Sequence, residues 1–177
     1  MLGVSPNPRI CRVTASEFKK QPRGPYLFDY WRWHKSVPTP LGDFSVELQM
    51  LGDDDTNPPD EEMLRRASEL VRYAETHGGY ILDIVFGYYL LAGESDWLDM
   101  ADVPRGLTRE TVSSQVREDR TLVVSRHLDW DEPYDSGIHV VPLWDEEHAL
   151  SLDFRDGQIV SANGDPFRLE EGVFRCQ

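Results

Sequence analysis

Asp156-Gly157 is the strongest hairpin signal in this chain, and no other pair of residues constrains the fold as tightly. A type I′ turn needs positive φ at both central positions, which glycine adopts freely and aspartate tolerates, and such a turn sets the register of the two strands it joins. Phe154 is then paired with Ile159, and Leu150, Leu152 and Phe154 share one buried face. The turn belongs to a longer stretch, 121–167, in which alternating runs separated by turn residues read as a β-meander. Its expected strands are 121–129, 137–144 and 147–155, with turns at 130–136 (WDEPYDS) and at Asp145-Glu146. A loop symmetric about Pro133 places His127 opposite His139 and Asp129 opposite Gly137.

Upstream, the hydrophobic period changes. Residues 26–34 (YLFDYWRWH) and 43–51 (DFSVELQML) alternate across the proline loop 36–42 and together read as a hairpin, with Phe44, Val46, Leu48 and Met50 on one face. From Glu61, Met63, Leu64, Ala67, Leu70, Val71 and Ala74 recur as one helical stripe with Arg65, Glu69 and Arg72 turned outward. Gly78-Gly79 is expected to end that helix. Residues 80–92 (YILDIVFGYYLLA) are apolar nearly all round, which predicts a second helix buried between the first and a sheet, although the aromatic and β-branched content leaves a strand open. Thr108 is placed to cap a short helix through Val116. Residues 1–25, with Pro6, Pro8, Pro22 and Pro25, read as irregular or as an edge strand. The expectation is a single α+β domain over 1–177, an antiparallel sheet of about six strands with two central helices packed on one face.

Charge narrows the partners. The formal net charge is -14, but residues 1–40 set seven Lys/Arg against Glu17 and Asp29, a balance of +5, so the remainder carries -19. A field of that sign repels nucleic acid and anionic membrane and draws in a basic protein. Solubility alone is the plainer account of the same acidity. The longest apolar stretch, 80–92, is too short to span a bilayer, and the N-terminus has no secretory leader pattern. Cys11 and Cys176 lie near opposite ends without metal-ligand spacing, which fits thiols in a reducing cytoplasm.

The motifs that carry chemistry are missing. There is no G-x-S-x-G elbow, no local signature around either cysteine, no G-x-G-x-x-G and no glycine-lysine phosphate loop, so no cofactor is expected. Asp53, Asp55 and Asn57 suggest a calcium loop, but Pro58 stands where glycine is needed and Leu64 where a bidentate glutamate is needed; 52–60 reads instead as helix-start chemistry. His127, His139, Asp129, Asp145, Glu147 and His148 could supply a two-histidine, one-carboxylate metal set. Against it, His148 faces Leu143 and lies several residues along the ladder from the histidine pair.

The run Trp144-Asp145-Glu146-Glu147-His148-Ala149-Leu150, then strand, Asp-Gly turn, strand and Asn163-Gly164-Asp165, resembles the C-terminal signature of a family of uncharacterised bacterial domains, W-D-x-E-H-G-L-G-V, turn, V-x-x-x-G-x-x-D. The resemblance extends to the upstream helices and the strand at 42–48. It departs at Ala149, where the family places glycine, and the first forty residues do not share it. It implies a fold and a bacterial origin and brings no catalytic residues. The reading is therefore a non-enzymatic bacterial binding protein, an acidic immunity-type inhibitor or adaptor for a basic partner. Trp130, Asp131, Glu132, Tyr134, Trp144 and Glu146 are its candidate partner-binding residues. The alternative is a metal-dependent enzyme using His127, His139 and Asp129.

Overall fold

The computed structural model describes residues 12–22, 28–51, 57–94, 103–127, 131–145, 149–163, 165–170 and 173–176. In chain order they form β1 (Phe18–Gln21), β2 (Asp29–Trp33), β3 (Val37–Thr39), β4 (Gly42–Leu51), α1 (Glu61–Glu94), β5 (Thr121–His127), β6 (Tyr134–Val140), β7 (Leu150–Arg155), β8 (Gln158–Ala162), β9 (Asp165–Glu170) and β10 (Val173–Cys176). The sheet runs β1-β2-β4-β5-β6-β7-β8-β9-β10, with β3 paired to the start of β4. Eight strands, β1, β2 and β4 to β9, make one continuous ladder, which β3 and β10 extend. The α+β class is met; the expected six strands are too few.

Two features of the topology differ from expectation. The sheet is not wholly antiparallel: β4 and β5 pair in parallel, Ser45 with Thr121 through Leu51 with His127. Parallel neighbours need a crossover, and α1 lies within it. The two expected helices also follow one another without a loop, parted only by a kink at His77 (φ -121°, ψ 20°), one residue before the expected Gly78-Gly79 stop, so that Gly78 opens the second half of α1. A Cβ there would lie 2.8 Å from Pro40 Cδ and 3.0 Å from Thr39 Cβ, so glycine lets the β3–β4 turn pack onto the helix. The kink is braced by the His77 ring, stacked on Tyr73 at 4.5 Å, and by Thr76 Oγ1, which donates to the Arg72 carbonyl at 2.7 Å.

The helical stripe behaves as its period requires. Met63, Ala67, Leu70, Val71 and Ala74, then Ile81, Ile84 and Val85, are buried against the sheet, and Arg65 and Arg72 are exposed. The sheet answers with Phe44, Val46, Leu48 and Met50 of β4, Leu122 and Val124 of β5, Ile138 and Val140 of β6, and Leu150 and Leu152 of β7. Each large side chain buried this way contributes roughly 1.5–3 kcal/mol. Asp156 (φ 49°) and Gly157 (φ 80°) form the expected turn, with Phe154 opposite Ile159. The short helix expected after Thr108 is a turn followed by a 3-10 segment, Val112–Gln115, with Val112 buried. Among the described residues, no helix is long and apolar enough to cross a membrane.

Residue 12 to residue 14 hold no strand, although Val13 is buried, and β1 lies further on at Phe18–Gln21. The positive N-terminal balance is met locally: Lys20 pairs with Asp29 at 2.6 Å, Arg32 with Glu47 at 2.5 Å and Lys35 with Glu17 at 2.6 Å. The Lys35 hydrogen bond holds the Glu17 carboxyl down to about 2. Cys11 lies outside the described residues.

Candidate functional site

Alternation gives the sheet two unlike faces. On the side away from α1 the register lines up Arg32, Glu47, Val123, Gly137, Asp153 and Ser161 across six strands, and Tyr30, Gln49, Ser125 and Asp135 in the next row. This face is polar and yet largely buried: Glu47 is 2% exposed, Gln49 9%, Ser125 8% and Ser161 8%. Buried polar groups need partners, and these have them. Ser125 Oγ donates to Gln49 Oε1 at 3.4 Å, Gln49 Nε2 donates to Glu47 Oε2 at 3.3 Å, and Arg32 donates to Glu47 Oε1 through Nη2 at 2.5 Å and Nε at 3.1 Å. Ser161 Oγ donates to Asp153 Oδ2.

His139 belongs to the same face, and its ring leans toward Gly137. A Cβ at 137 would stand 3.6 Å from His139 Nε2 and 3.1 Å from the Leu152 carbonyl, so glycine lets the ring and that carbonyl pack close to the strand. Burial lowers the His139 pKa, and the nearby charges of Glu47 and Asp153 oppose it. The net direction is downward, so the imidazole is neutral at pH 7.

At Gly137 and Asp153 the ladder between β6 and β7 stops, although β6 begins three residues earlier and β7 continues to Arg155. A register irregularity between Asp153 and Phe154 marks the same place. The parting strands open a cleft of about 1060 Å³. Its wall takes residues from both faces: Asp135, His139 and Asp153 from the polar side, Tyr134, Ser136 and Phe154 from the helix side, and Arg65, Arg66, Glu69 and Arg72 from α1.

Asp60 holds the helix to this end of the sheet. Its Oδ1 accepts the Met63 N–H at 3.0 Å as a helix cap, and its Oδ2 accepts Arg126 Nη1 at 2.7 Å and the Tyr134 hydroxyl at 2.8 Å. Burial pushes the Asp60 pKa up, but the Met63, Arg126 and Tyr134 hydrogen bonds together bring it below its ordinary value. Arg66 covers the Tyr134 ring with its guanidinium carbon 5.5 Å from the centroid. The Tyr134 hydroxyl is pushed up by burial and then by Asp60.

The expected register of the meander is wrong by six residues. Thr121 pairs with His139, Val123 with Gly137 and Arg126 with Tyr134, while His127 N–H donates to the Pro133 carbonyl at 2.7 Å. Tyr134, anchored on Asp60, starts β6 earlier than a loop symmetric about Pro133 allows. His127 and His139 therefore share a face but lie six strand positions apart, roughly 20 Å. They cannot hold one metal between them. His127 instead pairs with Asp135 at 3.0 Å. Asp145 is 4% exposed and accepts the Tyr88 hydroxyl at 2.6 Å, so its carboxylate faces the helix. Among the described residues, no cluster of three or more metal-ligating side chains occurs. Asp129, Glu147 and His148 lie outside them.

Of the candidate partner residues, Asp131, Glu132 and Tyr134 line the cleft, the two acids exposed. Trp144 is withdrawn from that set: it is 3% exposed and packs edge-on to Tyr89 at 5.6 Å, a core contact made because β6 ends at Val140 and the following turn folds inward. Trp130 and Glu146 lie outside the described residues. The sequence reading missed Gly137, Asp153 and the Glu47-Gln49-Ser125 chain. A glycine inside an alternating strand was the available signal for the first.

Residues 22–165 match a family model described as "Domain of unknown function (DUF6985)". This agrees with the resemblance at the level of an uncharacterised domain family. No curated protein and no solved structure matches the chain.

Proposed function

The chain belongs to the DUF6985 family, and from that premise we propose that it is a non-enzymatic binding protein of the bacterial cytoplasm, an immunity-type inhibitor or adaptor that takes a basic protein into the cleft between β6 and β7. One observation carries the reading: Asp131, Glu132 and Tyr134, within four residues of one another, lie on the wall of a cleft that also holds Asp135, Asp153 and Asp156. The four arginines on the wall do not reverse its sign: Arg65 is bound by Glu62 and Glu69 and Arg66 by Glu62, and Arg72 and Arg155 are outnumbered by Asp131, Glu132, Asp135, Asp153 and Asp156. A binding role also suits the hydroxyls on this face. Thr121 and Ser151 are the cross-strand partners of His139. Thr121 donates to the Asp119 carbonyl, Ser125 to Gln49 and Ser161 to Asp153, so none of these three hydroxyls donates to an imidazole as an activated nucleophile would.

Tyr134 supports the cleft from within, since its hydroxyl and ring are already engaged by Asp60 and Arg66. The acids on the rim are the steering groups. Opposite fields raise association rates by about 10 to 10³ at low salt. The test is affinity capture from the native host at moderate salt, followed by association rates of the captured basic protein across salt concentrations. Asp131→Asn with Glu132→Gln should slow association at low salt and flatten its salt dependence, with Tyr134→Phe leaving the salt slope unchanged. Association of the double variant at the wild-type rate and slope ends this reading.

A further inference from the structure

We propose that the cleft seats the cationic end of one basic side chain, a guanidinium or ammonium group, beside His139, with Asp153 and Asp135 accepting hydrogen bonds from its N–H groups and the His139 ring forming the inner wall. This rests on the reading of the protein as a binder of a basic partner and names what enters the cleft.

The inventory of donors and acceptors decides the sign of the guest. On the polar face the donors are engaged internally, Ser125 with Gln49, Gln49 with Glu47, and Arg32 with Glu47, both of whose oxygens are thereby occupied. Arg72 and Arg155 on the wall are outweighed by Asp131, Glu132, Asp135, Asp153 and Asp156. Asp153 receives Ser161 on Oδ2, and Asp135 receives His127 on Oδ2. Each keeps Oδ1 for an incoming donor. The two stand on strands that have just parted, so both reach the opening. An anion would meet these carboxylates across a neutral imidazole. An apolar guest would strip water from them without replacing it, which disfavours the charged carboxylates. A guanidinium has five donors in a planar fork and an ammonium has three, and either satisfies both. The group lies in the cleft beside the His139 ring, which together with the Leu152 carbonyl packs close over Gly137.

The same arrangement makes occupancy depend on pH. The charged groups acting on His139 are Glu47, itself held by Arg32, on β4 and Asp153 on β7, and further along the cleft wall lie Asp135 on β6, His127 on β5, Arg155 on β7 and Arg72 on α1. Protonating His139 adds a like charge beside a cationic guest. Binding should therefore weaken as the pH falls through the His139 pKa, and a bound cation should lower that pKa further.

The experiment is an NMR titration of the full chain with N-acetyl-arginine amide and N-acetyl-lysine amide, with N-acetyl-glutamate as the anionic control. Saturable shifts of the Gly137 amide and the His139 ring carbon with a cationic probe, a His139 pKa lowered at saturation, and at least tenfold weaker binding in Asp153→Asn are the results expected. Asp135→Asn, at a half-exposed position, should weaken the same probe and serves if Asp153→Asn folds poorly. Shifts produced by the glutamate probe, a His139 pKa that rises, or unchanged binding in both variants would overturn the proposal. If the rim variant of Asp131 and Glu132 slows the partner while Asp153→Asn and Asp135→Asn do not, the steering reading stands and this one falls. If none of them slows it, both fall.

Discussion

Arg126 Nη1 donates to Asp60 Oδ2 at 2.7 Å, joining residues 66 positions apart and fastening the start of α1 to the end of β5. Arg126 is only 11% exposed, so its charge depends on this partner more than a surface pair would. The contact sets one boundary of the cleft, because Tyr134 at the head of β6 shares the same carboxylate oxygen.

Asp60→Ala should therefore cost more than an ordinary helix cap. Loss of the Met63 cap is worth about 1 kcal/mol, and taking this hydrogen-bonding carboxylate from a mostly buried arginine adds on the order of 1–3 kcal/mol. Asp60→Asn keeps an oxygen for the cap and should lose less. Urea denaturation of the two variants ranks them; equal losses would show that the charge contributes nothing.

Acid should loosen the same region. Glu62 is brought down to about 2, chiefly by the Arg65 hydrogen bond and then by Arg66, and Asp60 is also lowered. A depressed folded pKa stabilises fully above the unfolded value, 4.5 for Glu62 and 3.8 for Asp60, and that stability is lost as the pH falls through the folded value. Thermal melts should decline from about pH 4.5 toward 2, and the decline should be shallower in Glu62→Gln. A slope that this substitution leaves untouched would remove Glu62 from the acid response.

Adjacent glycines in α1 should respond oppositely to alanine. At Gly79 a Cβ would meet only Arg109 Nη2, at an ordinary 3.7 Å, so Gly79→Ala should gain up to about 1 kcal/mol of helix propensity. At Gly78 the same Cβ would collide with Pro40 at 2.8 Å and Thr39 at 3.0 Å, and overpacking of this kind costs about 1–3 kcal/mol. Paired melting temperatures decide it, and a gain at both sites would mean that the β3–β4 turn does not rest on the helix.

The hairpin turn offers a comparison of backbone against surface. Asp156→Pro forces φ negative where the turn has 49°, and Gly157→Val strains a φ of 80° by about 1–3 kcal/mol. Glu69→Gln removes only an exposed helical pair with Arg65, worth a few tenths of a kcal/mol at about 0.2–0.5. Similar stabilities for Asp156→Pro and Glu69→Gln would refute the turn assignment.

Tyr88→Phe tests the core contact that sequence reading assigned to a turn. The Tyr88 hydroxyl donates to Asp145 Oδ2 at 2.6 Å with both residues buried. Taking that donor from a buried carboxylate should cost about 1.5–3 kcal/mol, measurable as a fall in the urea midpoint at constant m value. A loss below about 0.5 kcal/mol, the lower end for a single hydrogen bond, would place Asp145 outside the core network.

What the sequence by itself determined is local. The period of 61–74 specified which face of α1 is buried, alternation specified Phe44, Val46, Leu48 and Met50 as core, and Asp156-Gly157 specified its own turn and the Phe154–Ile159 pair. Each depends on neighbours within a few residues, where backbone geometry alone sets the pattern. Even the six-residue slip of β6 left its faces correct, because an even shift preserves the side on which every residue lies.

Tertiary structure decided everything that required two distant segments. Gly78 reads only as a helix stop until Pro40 and Thr39 are seen against it; β4 and β5 are parallel only because α1 crosses between them; Tyr134 starts its strand early because Asp60, 74 residues away, holds its hydroxyl. The cleft is of the same kind. Glu47, Ser125, His139 and Asp153 come from four strands and are polar residues with no spacing in common, so no window along the chain contains them. Only strand pairing, driven by burial of the opposite face, brings them into one place.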